Sequence, residues 1–150
     1  MTLVGISDTM IIQLTSEIGV DLSPWKTDKH FTSWLGLAPR VNKSGKGRKR
    51  KKEKINTRAG QLFKLAVQGV AKSKNTALGG FYRRIKSKHG PLVANKATAR
   101  KLAVMYYNIM TKGIDYVEEG IKKYQKTYEQ QRLKYLMKQA SSFNLKLIPA

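Results

Sequence analysis

The chain has no cysteine, which removes disulfides, zinc ribbons and thiolate chemistry together and suits a cytosolic protein. Histidine is almost as scarce. His30 and His89 are the only two and lie far apart, so an imidazole metal site is not expected. No apolar run approaches the ~18 residues of a membrane span. The opening MTLVGISDT has no basic stretch ahead of an apolar one, so it does not read as a signal peptide. Acid is the last scarcity. The nine carboxylates are Asp8, Glu17, Asp21, Asp28, Glu53, Asp115, Glu118, Glu119 and Glu129. Metal-assisted phosphoryl chemistry wants several carboxylates converging on Mg²⁺. These make no such cluster; Asp115, Glu118 and Glu119 read instead as the acidic first turn of a helix. No metal or other cofactor is expected in this chain by itself.

Positive charge is what the sequence has in excess. Thirty Lys and Arg against nine acids leave a formal net charge of +21. Such a field repels itself unless a polyanion neutralises it. Nucleic acid is the expected partner, because Lys and Arg displace the counterions condensed on phosphates; no membrane partner is expected. The 41% of apolar residues suffices for a core, and a chain of this size buries roughly 68–70% of its unfolded surface. One domain is expected, or one domain with an appendage.

The periodicity is helical almost throughout. In GISDTMIIQLTSEIG, Ser7 or Asp8 can cap a helix whose apolar positions are Met10, Ile11, Leu14 and Ile18, with Gly19 after its last turn. TDKHFTSWLGL repeats the plan, with Thr27 or Asp28 as cap, Phe31, Trp34 and Leu35 as the apolar face and Gly36 as the stop. Helix resumes near Thr57, with Leu62, Leu65, Ala66 and Val70 as the buried stripe. A fourth helix holds Phe81, Tyr82 and Ile85, its start weakened by Gly79-Gly80. Pro91 suits the first turn of the longest one, with Leu102, Met105, Tyr106 and Ile109 on one face and Gly113 at its end. A last basic amphipathic helix runs from about Glu118 to Ser142, with a stripe of Tyr124, Tyr128, Tyr135 and Leu136 that packs on the preceding helix or pairs with a second subunit. The expected fold is all-α, with about six helices and one long basic loop that could hold a short β-ribbon. The expected division is residues 1–115 and a C-terminal helix and tail at 116–150.

Three features bear on chemistry. From Arg40 to Lys54 only Val41 is apolar, and the twelve residues Lys43–Lys54 carry eight cations: Lys43, Lys46, Arg48, Lys49, Arg50, Lys51, Lys52 and Lys54. The plain reading is a solvated surface; on so basic a chain, nucleic-acid contact is the stronger one. Gly45 and Gly47 would let the backbone come close to a phosphate. Ser44 lies at the head of this block. Most loop serines only make turns, and a hydroxyl is a poor nucleophile without a base beside it. No His or carboxylate is adjacent, but the surrounding Lys and Arg could stabilise a pentavalent phosphorane. Third, LVGIS before a helix resembles the glycine hairpin with which helix-hairpin-helix modules hold phosphate on backbone N–H groups. Gly5 and Ile6 fit that pattern, and Ser7 stands where a second glycine is usual.

Taken together, VGISDTMIIQLTSEIG, FTSWLGLAPRVNKSGKGRK and INTRAGQLFKLAVQGVA resemble the C-terminal domain of bacterial insertion-sequence transposases of the one-ten group and the related Piv-like DNA invertases. Glu17-Ile18-Gly19, Gly36-Leu37-Ala38-Pro39, Ser44-Gly45, Ile55 and Gly60-Gln61 occupy that family's motif positions in order, with Gln61 where Asn is usual. The resemblance implies a cytoplasmic bacterial protein that binds DNA and acts in recombination. It implies Ser44 as the residue that attacks DNA and becomes a phosphoserine, with Arg40, the cations of the block, Gly5, Gly45 and Arg58 as nucleic-acid contacts. It further implies a separate RuvC-like domain carrying the Mg²⁺-binding carboxylates, a homo-oligomer when complete and, in some members, a structured guide RNA. The RuvC-like part is not in these 150 residues, so a domain inactive alone is expected. The alternative is a non-catalytic nucleic-acid-binding protein or a decayed transposase fragment.

Overall fold

The structure, a computed structural model, describes residues 5–39, 57–146 and 148. Six helices and no strand are present among them: α1 (Asp8–Ile18), α2 (Asp28–Trp34), α3 (Arg58–Lys72), α4 (Ala77–His89), α5 (Pro91–Lys112) and α6 (Ile114–Ser142). The all-α expectation holds. The segment that could have held a β-ribbon lies outside the described residues.

Side-chain caps start four of the six helices. The amides of Met10, His30, Gly60 and Gly79 donate to the hydroxyls of Ser7, Thr27, Thr57 and Thr76 at 3.0–3.3 Å, each satisfying an N–H that the helix cannot pair internally. α5 starts differently, on Gly90 followed by Pro91, whose missing N–H would have been unpaired there anyway. Gly113 separates α5 from α6 with φ +88°, a backbone state that favours glycine.

α5 is the centre. α2, α3, α4 and α6 all pack on it, and α1 packs on α3. The inward face of α5 is Ala94, Thr98, Ala99, Leu102, Ala103, Tyr106 and Tyr107. Its small residues let neighbouring helices approach, and its larger ones fill the space between them. Phe31 of α2, Phe63 of α3 and Leu14 of α1 are fully buried against this core. Tyr106 is flanked by Phe31 at 6.3 Å and by Phe63, edge-on, at 5.7 Å. The Tyr107 hydroxyl donates to the Trp25 carbonyl at 2.7 Å, tying the α1–α2 connection to α5.

Some expected faces are turned. On α3 the buried row is Phe63, Ala66, Val67 and Val70, while Leu65 is 51% exposed and Leu62 only partly buried. Ala66 and Val70 belong to both rows; what the inward row adds is Phe63, which meets Tyr106 of α5, and Val67. On α1, Met10, Leu14 and Ile18 face inward and Ile11 does not. On α2, Phe31 is buried but Trp34 is partly exposed. α6 begins at Ile114, a turn before the expected start. Its first half is anchored: Val117 is buried, and the Gln125 side chain accepts from the Ala77 amide at 2.8 Å and donates to the Asn75 carbonyl at 3.2 Å. Tyr128 lies against Gly80, so the tyrosine stripe packs intramolecularly here. Farther along, Leu133, Tyr135, Leu136 and Met137 are exposed.

Two buried hydroxyls, on Tyr106 and Thr98, have no hydrogen-bond partner among the described residues. Burial raises the Tyr106 pKa above its usual value, an effect the nearby Thr15 side chain partly offsets. An unpaired buried hydroxyl costs about 1–3 kcal/mol. Thr98→Val should therefore raise stability by about 1 kcal/mol in urea titrations, with the slope unchanged. Phe31→Ala, which empties the aromatic cluster around Tyr106, should lower it by about 3–5 kcal/mol.

Candidate nucleic-acid interface

Nine of the thirty cations lie in residues 40–56 and only one acid, Glu53, accompanies them. That segment, with Arg40, Lys43, Ser44, Gly45, Lys46, Arg48, Lys49, Arg50, Lys51, Lys52 and Lys54, lies outside the described residues. Its flanks are described: Leu35, five residues before it, lies against Thr57, the residue directly after it.

On the incoming side α2 finishes with a tight return. The Leu35 amide donates to the Phe31 carbonyl, Gly36 to Ser33 and Leu37 to Thr32, at 2.9–3.0 Å. This turns Leu37 back into the core, where it is 1% exposed. On the outgoing side Thr57 caps α3. Its hydroxyl accepts from the Gly60 amide at 3.0 Å and reaches the Leu35 carbonyl oxygen at 3.4 Å. Gly60 is what allows the approach, because a Cβ there would run into the Leu35 carbonyl oxygen and lie 2.9 Å from Thr57 Oγ1. Leu35, Thr57 and Gly60 thus form a narrow neck at the start of α3, joining the chain five residues before the basic segment to the residue directly after it.

The electrostatics of the neck suit an anion. The first turn of α3 has no acidic residue of its own, and the carboxylate beside it is Glu17 of α1. Arg58, its first residue, has an 87% exposed side chain. It pairs with Glu17 across 3.3 Å, a contact weak enough in solvent to be exchanged.

Gly5 lies elsewhere. Its φ is +92°, and a Cβ would meet the Ala66 carbonyl oxygen and, at 2.9 Å, Val70 Cγ2. Gly69 reciprocates, its own Cβ position 3.1 Å from Gly5 Cα. Gly5 thus abuts the later turns of α3, roughly 12–16 Å along the axis from Arg58. Close packing against α3 accounts for this glycine, and Ser7 serves as a helix cap.

Other cations that the sequence did not single out are built into the fold. The Arg83 guanidinium donates to the Ser73 and Lys74 carbonyls at 2.8 and 2.9 Å, closing the end of α3. Lys101 Nζ sits 4.3 Å from the Phe81 ring centre and 4.4 Å from that of Tyr124, and donates to the Tyr124 hydroxyl at 3.3 Å. Aromatic residues spaced among lysines were the only sequence signal for this arrangement. No group of three or more His, Cys, Asp or Glu able to hold a metal occurs among the described residues, so they do not fit a Mg²⁺ site. Asp21, whose pKa is lowered by the Ser23 backbone amide and then by its hydroxyl, belongs to a surface turn.

The neck makes a signed prediction. Glycine to alanine inside an exposed helix ordinarily stabilises by up to about 1 kcal/mol. Gly120→Ala in α6, with open space around its Cβ position, should follow that rule. Gly60→Ala should reverse it, lowering stability by about 1–3 kcal/mol as the Leu35 carbonyl is pushed away. Urea titrations of the two variants check the opposite signs.

A model of the transposase IS116/IS110/IS902 family matches residues 1–83, a stretch that spans α1 to α3, the neck and the basic segment. No curated protein and no solved structure matches the chain. No helix among the described residues is long and apolar enough to cross a membrane. With more than half of its 150 residues matched, the chain belongs to the IS116/IS110/IS902 transposase family.

Proposed function

We propose that this chain is the C-terminal, serine-bearing part of the transposase, and that it binds DNA through residues 40–56 and presents Ser44 to a scissile phosphate. The observation that carries the reading is the neck: a segment rich in cations is bracketed by Leu35 and Thr57, which touch at the start of α3 with Gly60 opposite. Fixing both flanks reduces the freedom that the segment would lose on binding. In the proposed step, Ser44 Oγ bonds to phosphorus as a P–O bond of the DNA breaks. The strand becomes a serine phosphodiester, the released oxygen takes up a proton in place of the one lost from Ser44 and leaves as a hydroxyl, and Lys43, Lys46 and Arg48 would stabilise the charge that develops.

The Mg²⁺-binding carboxylates of the complete enzyme would come from a RuvC-like domain outside this chain. Two DNA ends held together call for more than one copy, and the same basic surface suits a structured guide RNA. The second reading is a non-catalytic nucleic-acid-binding protein or decayed fragment. It uses the same basic surface and forms no covalent product.

One experiment separates the two. The chain is combined with a RuvC-like domain in trans, Mg²⁺ and nicked DNA, and covalent protein–DNA adducts are resolved under denaturing conditions. An adduct should form, and Ser44→Ala should abolish it with DNA binding nearly intact. An adduct that persists in Ser44→Ala overturns the nucleophile, and binding with no adduct in either protein supports the second reading. Both readings expect phosphate contacts to dominate, so the slope of log K against log salt on duplex DNA should be about −5 for about six phosphates.

A further inference from the structure

The chain has two tryptophans, Trp25 and Trp34, and the fold brings them together. Their ring centres are 4.8 Å apart, and both lie near Phe31, Trp25 edge-on at 5.3 Å and Trp34 nearly parallel at 6.4 Å. The three centres form an acute triangle, so Trp25 and Phe31 back Trp34 from one side. Phe31 is fully buried, while Trp34 keeps 38% of its surface exposed. The backing is fixed, because the Trp25 carbonyl accepts from the Tyr107 hydroxyl at 2.7 Å. Trp34 is therefore a firmly held aromatic ring that solvent can reach. It also directly precedes Leu35, whose carbonyl oxygen reaches Thr57 and faces Gly60 in the neck. From Trp34 to Arg40, where the basic segment starts, the chain spans at most about 20 Å. About six nucleotides cover that distance at about 3.4 Å each.

We propose that Trp34 is a stacking platform for an unpaired nucleobase of the strand that the basic segment holds, an inference that rests on the nucleic-acid reading above. A cation cluster selects only phosphate, whereas a flat ring backed by two others selects a flat partner. A protein partner does not suit this place. α2 exposes no other large apolar side chain, and its exposed residues beside Trp34 are Ser33 and, one turn back, His30. A whole aromatic side chain offers about 150–250 Å², against about 800 Å² per partner in a stable protein interface. A paired base inside a duplex does not suit it either, since its neighbours in the stack occupy both of its faces. An opened or broken strand supplies a base with a free face. Stacking of this kind reads little sequence, because every base has a π-face. The platform would fix where a strand lies and leave the choice of site to other contacts.

The test uses the full chain, whose two tryptophans both belong to this cluster, so that its tryptophan emission reports on the platform. The emission is titrated with oligothymidylate, with oligouridylate and with a DNA duplex, while anisotropy of the labelled nucleic acids follows binding in parallel. A single strand should quench the emission at saturation, and the duplex, though bound through its phosphates, should not. Quenching by one of the two single strands alone supports the platform and names its source as DNA or RNA. Trp34→Leu, which keeps apolar bulk without a ring, should weaken single-strand binding by about fivefold or more and leave duplex affinity unchanged. Trp34→Phe should restore most of the loss. Emission that stays constant while a single strand binds overturns the proposal alone, and a chain that binds none of the three overturns it together with the nucleic-acid reading. Both results are read on the unaltered chain and do not depend on how the variants fold. Equal losses on single strand and duplex in Trp34→Leu also overturn the proposal. So does emission that changes with protein concentration in the absence of nucleic acid, which makes the ring a contact between copies of the chain.

Discussion

The bundle depends on α5. Four helices pack on it, and they can do so only because its inner face is mostly small until it reaches Leu102, Tyr106 and Tyr107. Ala94, Thr98 and Ala99 set how closely α3 and α4 approach. The tyrosines then fill the wider end, where Phe31 and Phe63 arrive from α2 and α3. Enlarging Ala94 or Ala99, both fully buried, would have to move whole helices, since a packed core takes up extra volume poorly. The neck inherits its position from this packing. α2 and α3 both lean on α5, and that is what sets Leu35 beside Gly60.

This core works against an unusual load of like charge. Thirty cations face nine acids, and the ion pairs Arg58–Glu17 and Lys122–Glu118 are both largely exposed, so they contribute little. Several cations are instead drawn into the fold without an acid. Arg83 bonds to carbonyls, Lys101 lies between two rings, and Lys112 sits 4.6 Å from the Tyr116 ring centre. Carbonyl oxygens and aromatic faces carry enough negative potential to hold a cation near the surface. They leave its charge uncancelled, and a bound polyanion can therefore stabilise the protein by neutralising what the fold does not.

The sequence made the helices legible and the packing less so. Ser7, Thr27, Thr57 and Pro91 mark helix starts by local chemistry alone, and the structure uses all four. Which face turns inward is not local. On α3, Leu62, Leu65, Ala66 and Val70 and the row Phe63, Ala66, Val67, Val70 both satisfy helical spacing. The choice rests on Phe63 meeting Tyr106 of α5, a contact between residues far apart in sequence. Gly79-Gly80 misleads in the same way. Read locally the pair weakens a helix start; in the fold a Cβ at Gly79 would strike the Ser73 carbonyl, and one at Gly80 would strike the Tyr128 ring. Of the candidate site, the charge and the serine were legible because composition and a short motif carry them. The closure of the neck was not, because nothing at Leu35 announces that its carbonyl will need a glycine opposite.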